Sequence, residues 1–124
     1  DACSGEYTCM YNYGSVSDGS CVGTRSCMYN SADVGEGSCF GLYACFGNAG
    51  NITSNACIGQ SSCSLNRGII GEGSCHLENA CNRNSKDIAN YSCIGEQACY
   101  SNDGKIGADS CQMYQACYRN TGDV

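Results

Sequence analysis

Ala56-Cys57-Ile58-Gly59-Gln60-Ser61-Ser62-Cys63 reads as small-Cys-x-Gly-x-x-small-Cys, and variants of the same phrase fill the chain. Its first cysteine recurs as Cys3, Cys21, Cys39, Cys57, Cys75, Cys93 and Cys111, and its second as Cys9, Cys27, Cys45, Cys63, Cys81, Cys99 and Cys117, an eighteen-residue period without a slip. A fixed short period means that each repeat is one structural unit, able to bury surface only against its neighbours. Seven phased repeats leave no room for a linker, so residues 1-124 are read as a single domain.

Composition alone points elsewhere. Leu, Ile, Val and Phe number 16 of 124 residues, and with a net charge of -6 that poverty is the mark of a disordered chain. The 14 cysteines reverse the inference, because their share exceeds the level typical of disulfide scaffolds. Their constant pairing at six residues predicts one bridge inside every repeat, Cys3 with Cys9 onward to Cys111 with Cys117. Zinc or copper is the rival use of so much thiol; a single histidine and the lack of Cys-x-x-Cys spacing argue against it, so no metal site is expected. Each six-residue loop, once closed, restricts the unfolded chain by roughly 2 kcal/mol on the loop-entropy account. Regular cysteines imply an oxidising compartment, and the missing apolar leader is read as a mature, secreted, extracellular chain.

Counted from the first cysteine, several positions of the repeat are restricted. Position 3 is Gly5, Gly23, Gly41, Gly59 and Gly95, with Leu77 and Met113 as exceptions. Position 6 is always small, as is the residue before each first cysteine, which suggests close backbone approach. Position 10 is invariant: Asn12, Asn30, Asn48, Asn66, Asn84, Asn102 and Asn120. Stacked at an inter-strand spacing of about 4.8 Å, identical asparagines pass amide hydrogen bonds from rung to rung while bonding turn backbone, so a structural ladder at a corner is expected. Position 14 is Val16, Val34, Ile52, Ile70, Ile88, Ile106 and Val124, β-branched throughout, as a core-facing strand prefers. Frequent Gly, Asn and Ser disfavour helix. The fold class expected is all-β: a parallel β-solenoid of seven 18-residue coils with a disulfide in each coil, its handedness left open.

With these residues in view, the chain resembles disulfide-laddered β-solenoids, among them insect antifreeze proteins whose shorter coils also carry cysteine pairs six residues apart. The unit Ser92-Cys93-Ile94-Gly95-Glu96-Gln97-Ala98-Cys99 is similar to Ser-Cys-x-Gly-x-x-Ala-Cys tandem repeats in secreted proteins of microalgae. Eighteen residues is also the coil of left-handed β-helices built from hexapeptides, and Val34-Gly35, Ile70-Gly71 and Ile106-Gly107 look like their aliphatic-Gly steps. Positions 2 and 8 depart from that pattern, ranging from Ile58 to His76 and from Phe46 to Asn82.

Chemistry beyond the scaffold is sparse. His76 stands in a variable position without a repeated Ser or Asp partner, so no catalytic residue and no cofactor are expected. Acidic residues at position 4 (Glu6, Glu78, Glu96) and position 16 (Asp18, Glu36, Glu72) read as a solvated face, with calcium as the lesser reading. Tyr11, Tyr29, Tyr100 and Tyr118 fall at positions 8 and 9 with Phe46, and Tyr7 and Tyr43 share position 5; they either cover strands or offer a stacked face to a glycan or a neighbour. Asn51-Ile52-Thr53 and Asn90-Tyr91-Ser92 satisfy the glycosylation rule at Asn51 and Asn90.

No apolar run has the length of a membrane span, and twelve acidic against six basic residues make nucleic acid and anionic lipid poor partners. The expected function is that of an extracellular structural protein, not an enzyme: a rigid solenoid that stacks end to end into filaments through self-association. Asp1 occupies position 17 and Val124 position 14, which nearly continues the phase from one copy to the next. The alternatives are an ice-binding protein on the same scaffold and a carbohydrate-binding or adhesive module. Ice binding in the insect solenoids uses flat threonine ranks, whereas Thr8, Thr24, Thr53 and Thr121 fall at four different positions.

Overall fold

A computed structural model describes residues 1–124. Each repeat forms one coil, numbered here from its first cysteine: coil 1 covers 3–20, coil 2 covers 21–38, and so on to coil 7 at 111–124. Backbone hydrogen bonds run between neighbouring coils in both directions. In coil 3, Cys39 N–H donates forward to Ala56 C=O at 3.0 Å and Phe40 N–H to Cys57 C=O at 3.2 Å, while Gly41 and Cys45 donate backward to Val22 and Ser26 at 2.8 and 2.7 Å. Alternating donation of this kind satisfies the main chain of an inner coil from both sides, as buried amides require.

Two columns of parallel β-bridges run through the stack. One follows position 2 through Ser4, Val22, Phe40, Ile58, His76 and Ile94; the other follows position 14 through Val16, Val34, Ile52, Ile70, Ile88 and Ile106. The pleated strands expected around these residues are shortened to single bridges, and at position 2 the reason lies in the backbone. Positions 1, 5, 9 and 17 are left-handed in every described coil, with φ of 56° at Cys21, 56° at Tyr43, 58° at Leu65 and 56° at Tyr91. A residue with φ near +60° turns the chain out of the β region, so an extended stretch cannot outlast the few residues between two such positions.

Glycine is favoured at position 3 for a different reason. Gly41 has φ of 130°, outside the range an L side chain tolerates, and a Cβ there would stand 2.8 Å from the carbonyl carbon of Gly59 in the next coil. Leu77, which breaks the glycine column, adopts φ of 82° instead.

The core is narrow. Of the 19 buried residues that form it, ten are cysteines, joined by Val34, Ile52, Ile70, Ile88 and Ile106 from position 14 and by four alanines. Sulfur therefore fills space that aliphatic side chains occupy in an ordinary domain, which is how a chain with so little Leu, Ile, Val and Phe excludes water from its interior.

Candidate functional site

All fourteen cysteines are paired as their spacing predicts, from Cys3–Cys9 and Cys21–Cys27 through Cys39–Cys45, Cys57–Cys63, Cys75–Cys81 and Cys93–Cys99 to Cys111–Cys117. Cα atoms lie 5.5 Å apart at Cys57–Cys63, within the ordinary range for a bridge. Sulfurs of neighbouring coils stack closely enough to bring Cys99, Cys111 and Cys117 together. None of the three is a free thiolate, the form a metal would bind.

The position-10 asparagines form a continuous ladder. Asn66 Nδ2 donates to Asn48 Oδ1 at 2.9 Å and to Gly68 C=O at 2.7 Å, while its Oδ1 accepts from Asn84 Nδ2 at 2.8 Å. The pattern extends from Asn12 to Asn120, and every Nδ2 that reaches across points toward the lower-numbered coil. Asn30, Asn48, Asn66, Asn84 and Asn102 are fully buried. One amide side chain thus closes its own corner and links two neighbours.

A second ladder was concealed in the sequence. The small residue before each first cysteine is usually serine, and its hydroxyl joins adjacent coils: Ser20 Oγ donates to Gly35 C=O at 2.6 Å and accepts from Ser38 N–H at 3.3 Å. Ser38, Ser74 and Ser92 repeat the arrangement. Ala56 interrupts it, and the buried Ser74 N–H and Gly71 C=O of the next coil then find no hydrogen-bond partner. Size alone was visible in the sequence; the alternation of serine with a lone central alanine was the available signal. Position 13 adds a third set, in which Asp33, Asn51, Asp87 and Asp123 accept the position-13 amide of the preceding coil.

The remaining candidates lie on the outside. Asn51 and Asn90 are exposed; Asn51 Oδ1 accepts from Asp33 N–H at 3.2 Å and Asn90 Oδ1 from Glu72 N–H at 2.9 Å, leaving both Nδ2 groups unengaged. Thr53 of the first sequon is exposed, whereas Ser92 of the second is buried in the serine ladder. His76 Nε2 lies 2.9 Å from Asn55 C=O. The acidic residues at positions 4 and 16 are solvent-facing. The aromatic residues do meet: Tyr11 stacks on Tyr29 with centroids 5.2 Å apart, Phe46 meets Tyr29 and Tyr43 edge-on, and Tyr100 stacks on Tyr118 at 5.4 Å. Stacking holds these rings on the surface, where Tyr11 remains 54% exposed.

A match to the family described as Domain of unknown function (DUF7640) covers residues 1–65 and again 44–124. Overlapping matches are natural for an array, because a pattern spanning several coils fits more than one run of them. No curated protein and no solved structure matches the chain.

Proposed function

We propose, for a chain that belongs to the DUF7640 family, an extracellular structural role: a rigid, disulfide-stapled parallel β-solenoid whose coils continue end to end into filaments. The observation that carries this reading is the polarity of the asparagine ladder. On the outer face of coil 1, Asn12 Nδ2 donates only to Gly14 C=O, so one amide proton faces away from the stack. On the face of coil 7, Asn120 Oδ1 accepts only from Gly122 N–H, and its remaining lone pair points outward. A coil laid on either face, from the same polypeptide or another copy, pairs donor with acceptor in the existing geometry.

Contacts of this kind are head-to-tail. They use two different surfaces and propagate unless rotation closes a ring. The bridges support the extracellular part, since closed disulfides persist in oxidising compartments. Sedimentation of the purified 124-residue chain at micromolar concentration, with electron microscopy of the same sample, should reveal unbranched filaments that keep the coil repeat along their axis. A stable monomer free of filaments overturns the reading. A second reading, a carbohydrate-binding or adhesive module, draws on the exposed Tyr11–Tyr29 stack and would be the heir to that outcome.

A further inference from the structure

The four arginines are treated in two ways. Arg25 lies between the rings of Tyr7 and Tyr43, 5.6 and 5.8 Å from their centroids, and donates to the Tyr43 hydroxyl at 2.7 Å. Arg119 sits 5.3 Å over Tyr118. Arg67 and Arg83 have neither a ring nor a carboxylate against them, and the one ion pair of the molecule lies elsewhere, between the N-terminus and Asp18.

These two arginines line an open cleft of about 490 Å³ together with Gly47, Leu65, Asn84 and Ser85. The cleft exists because position 9 carries no side chain at Gly47, between Tyr29 in coil 2 and Leu65 in coil 4. Leu65 leans into the gap, so that a Cβ at Gly47 would stand 2.8 Å from its Cδ2. Arg83 enters from position 9 and Arg67 from position 11, on either side of the asparagine corner. Of the carboxylates close by in sequence, Asp87 Oδ1 accepts from Ile69 N–H at 2.9 Å and Asp103 Oδ1 accepts from the hydroxyl of Ser85, itself a lining residue; neither forms an ion pair with Arg67 or Arg83.

We propose that this cleft is a binding site for an oxyanion group, a carboxylate, sulfate or phosphate, whose carbon skeleton rests on Leu65. Each guanidinium presents a planar fork of donors matched to two oxygens of such a group, and two forks on one cleft recognise it from two directions. Leu65, 44% exposed, supplies an apolar floor. The site does not depend on filament formation.

Isothermal titration of the intact chain at low ionic strength, with inorganic phosphate, inorganic sulfate, an oligogalacturonate and a sulfated disaccharide as separate probes, tests the proposal. At least one probe should bind saturably with one site per chain and weaken with added salt, as charge-assisted contacts do. Arg67→Gln and Arg83→Gln should each lower affinity by about tenfold or more, and the double variant should abolish it, while Arg119→Gln leaves it unchanged. Preference for the oligogalacturonate or the sulfated sugar identifies an acidic glycan as the source; equal binding of the inorganic ions identifies a free anion. Both arginines are exposed, so the variants should keep the parent's far-ultraviolet spectrum. Absence of saturable binding by all four probes, or variants that bind as the parent does, overturns the proposal.

Discussion

The disulfide edge and the asparagine corner stabilise the molecule along perpendicular directions. Each bridge joins two residues six apart inside one coil, and no bridge crosses to a neighbour. Each inner asparagine bonds to its own corner and to residues eighteen away on both sides. The covalent edge therefore shapes a coil, and the amide corner joins coils. Closure and stacking are encoded by different residues, so they can be weakened one at a time.

Opening the central coil by Cys57→Ala with Cys63→Ala should have the largest effect, a loss of about 2 to 5 kcal/mol, because it frees a closed loop and empties two fully buried positions. Denaturant unfolding under oxidising conditions measures it, and disulfide mapping should still find the other six bridges within their own coils. A bridge that migrates to a neighbouring coil would show that closure is not local. Asn66→Ala comes next. It strands the buried Gly68 carbonyl and breaks the ladder on both sides, leaving Asn48 Oδ1 with only Gly50 N–H and Asn84 Nδ2 with only Lys86 C=O, at a cost of about 1 to 3 kcal/mol. An unchanged unfolding midpoint with all bridges intact would remove the asparagines from the account of stacking.

The smallest effects come from exchanging two residues of neighbouring rows. Ala56→Ser restores the missing rung of the serine ladder and should raise stability by about 1 kcal/mol, since Ser74 N–H and Gly71 C=O gain partners. Ser62→Ala removes a buried hydroxyl that has no partner and should be neutral or slightly stabilising. Thermal unfolding of both variants checks the pair. A destabilised Ala56→Ser protein would mean that the gap at coil 3 is built to the size of alanine.

Side chains with one function at one position were legible in the sequence. The bridges followed from cysteine spacing, the amide ladder from an invariant Asn12 to Asn120 column, and the aliphatic core line, buried from Val34 to Ile106 and exposed at Val124, from a β-branched column. Serine was partly hidden, because Ser20 and Ala56 look equivalent to an argument from size although only one carries a hydroxyl. Left-handed backbone was signalled at position 17 by Gly19, Gly37, Asn55 and Gly73, and hidden at positions 1, 5 and 9. Glycine or asparagine signals it, but Cys21, Tyr43 and Leu65 have no intrinsic preference for positive φ and are held there by closure of the coil. The same positions cut the expected strand at position 2 to single bridges. The Arg67–Arg83 cleft depends on registering position 9 of coil 5 against position 11 of coil 4, and on the absence of a side chain at Gly47, a coincidence across three coils that no single repeat displays.

Position 9 has a further bearing on how such a chain can change. Tyr11, Tyr29, Gly47, Leu65, Arg83, Ser101 and Arg119 all occupy one left-handed backbone conformation there, so the main chain is indifferent to which side chain it carries. Rows are set by the coils and columns by the repeat, and an outward residue can be replaced without revising the main chain. The molecule is in this sense a grid of interchangeable cells on a rigid frame. Recognition can be rewritten one cell at a time, with aromatic cells in the first coils and cationic cells in later ones, while the frame stays constant.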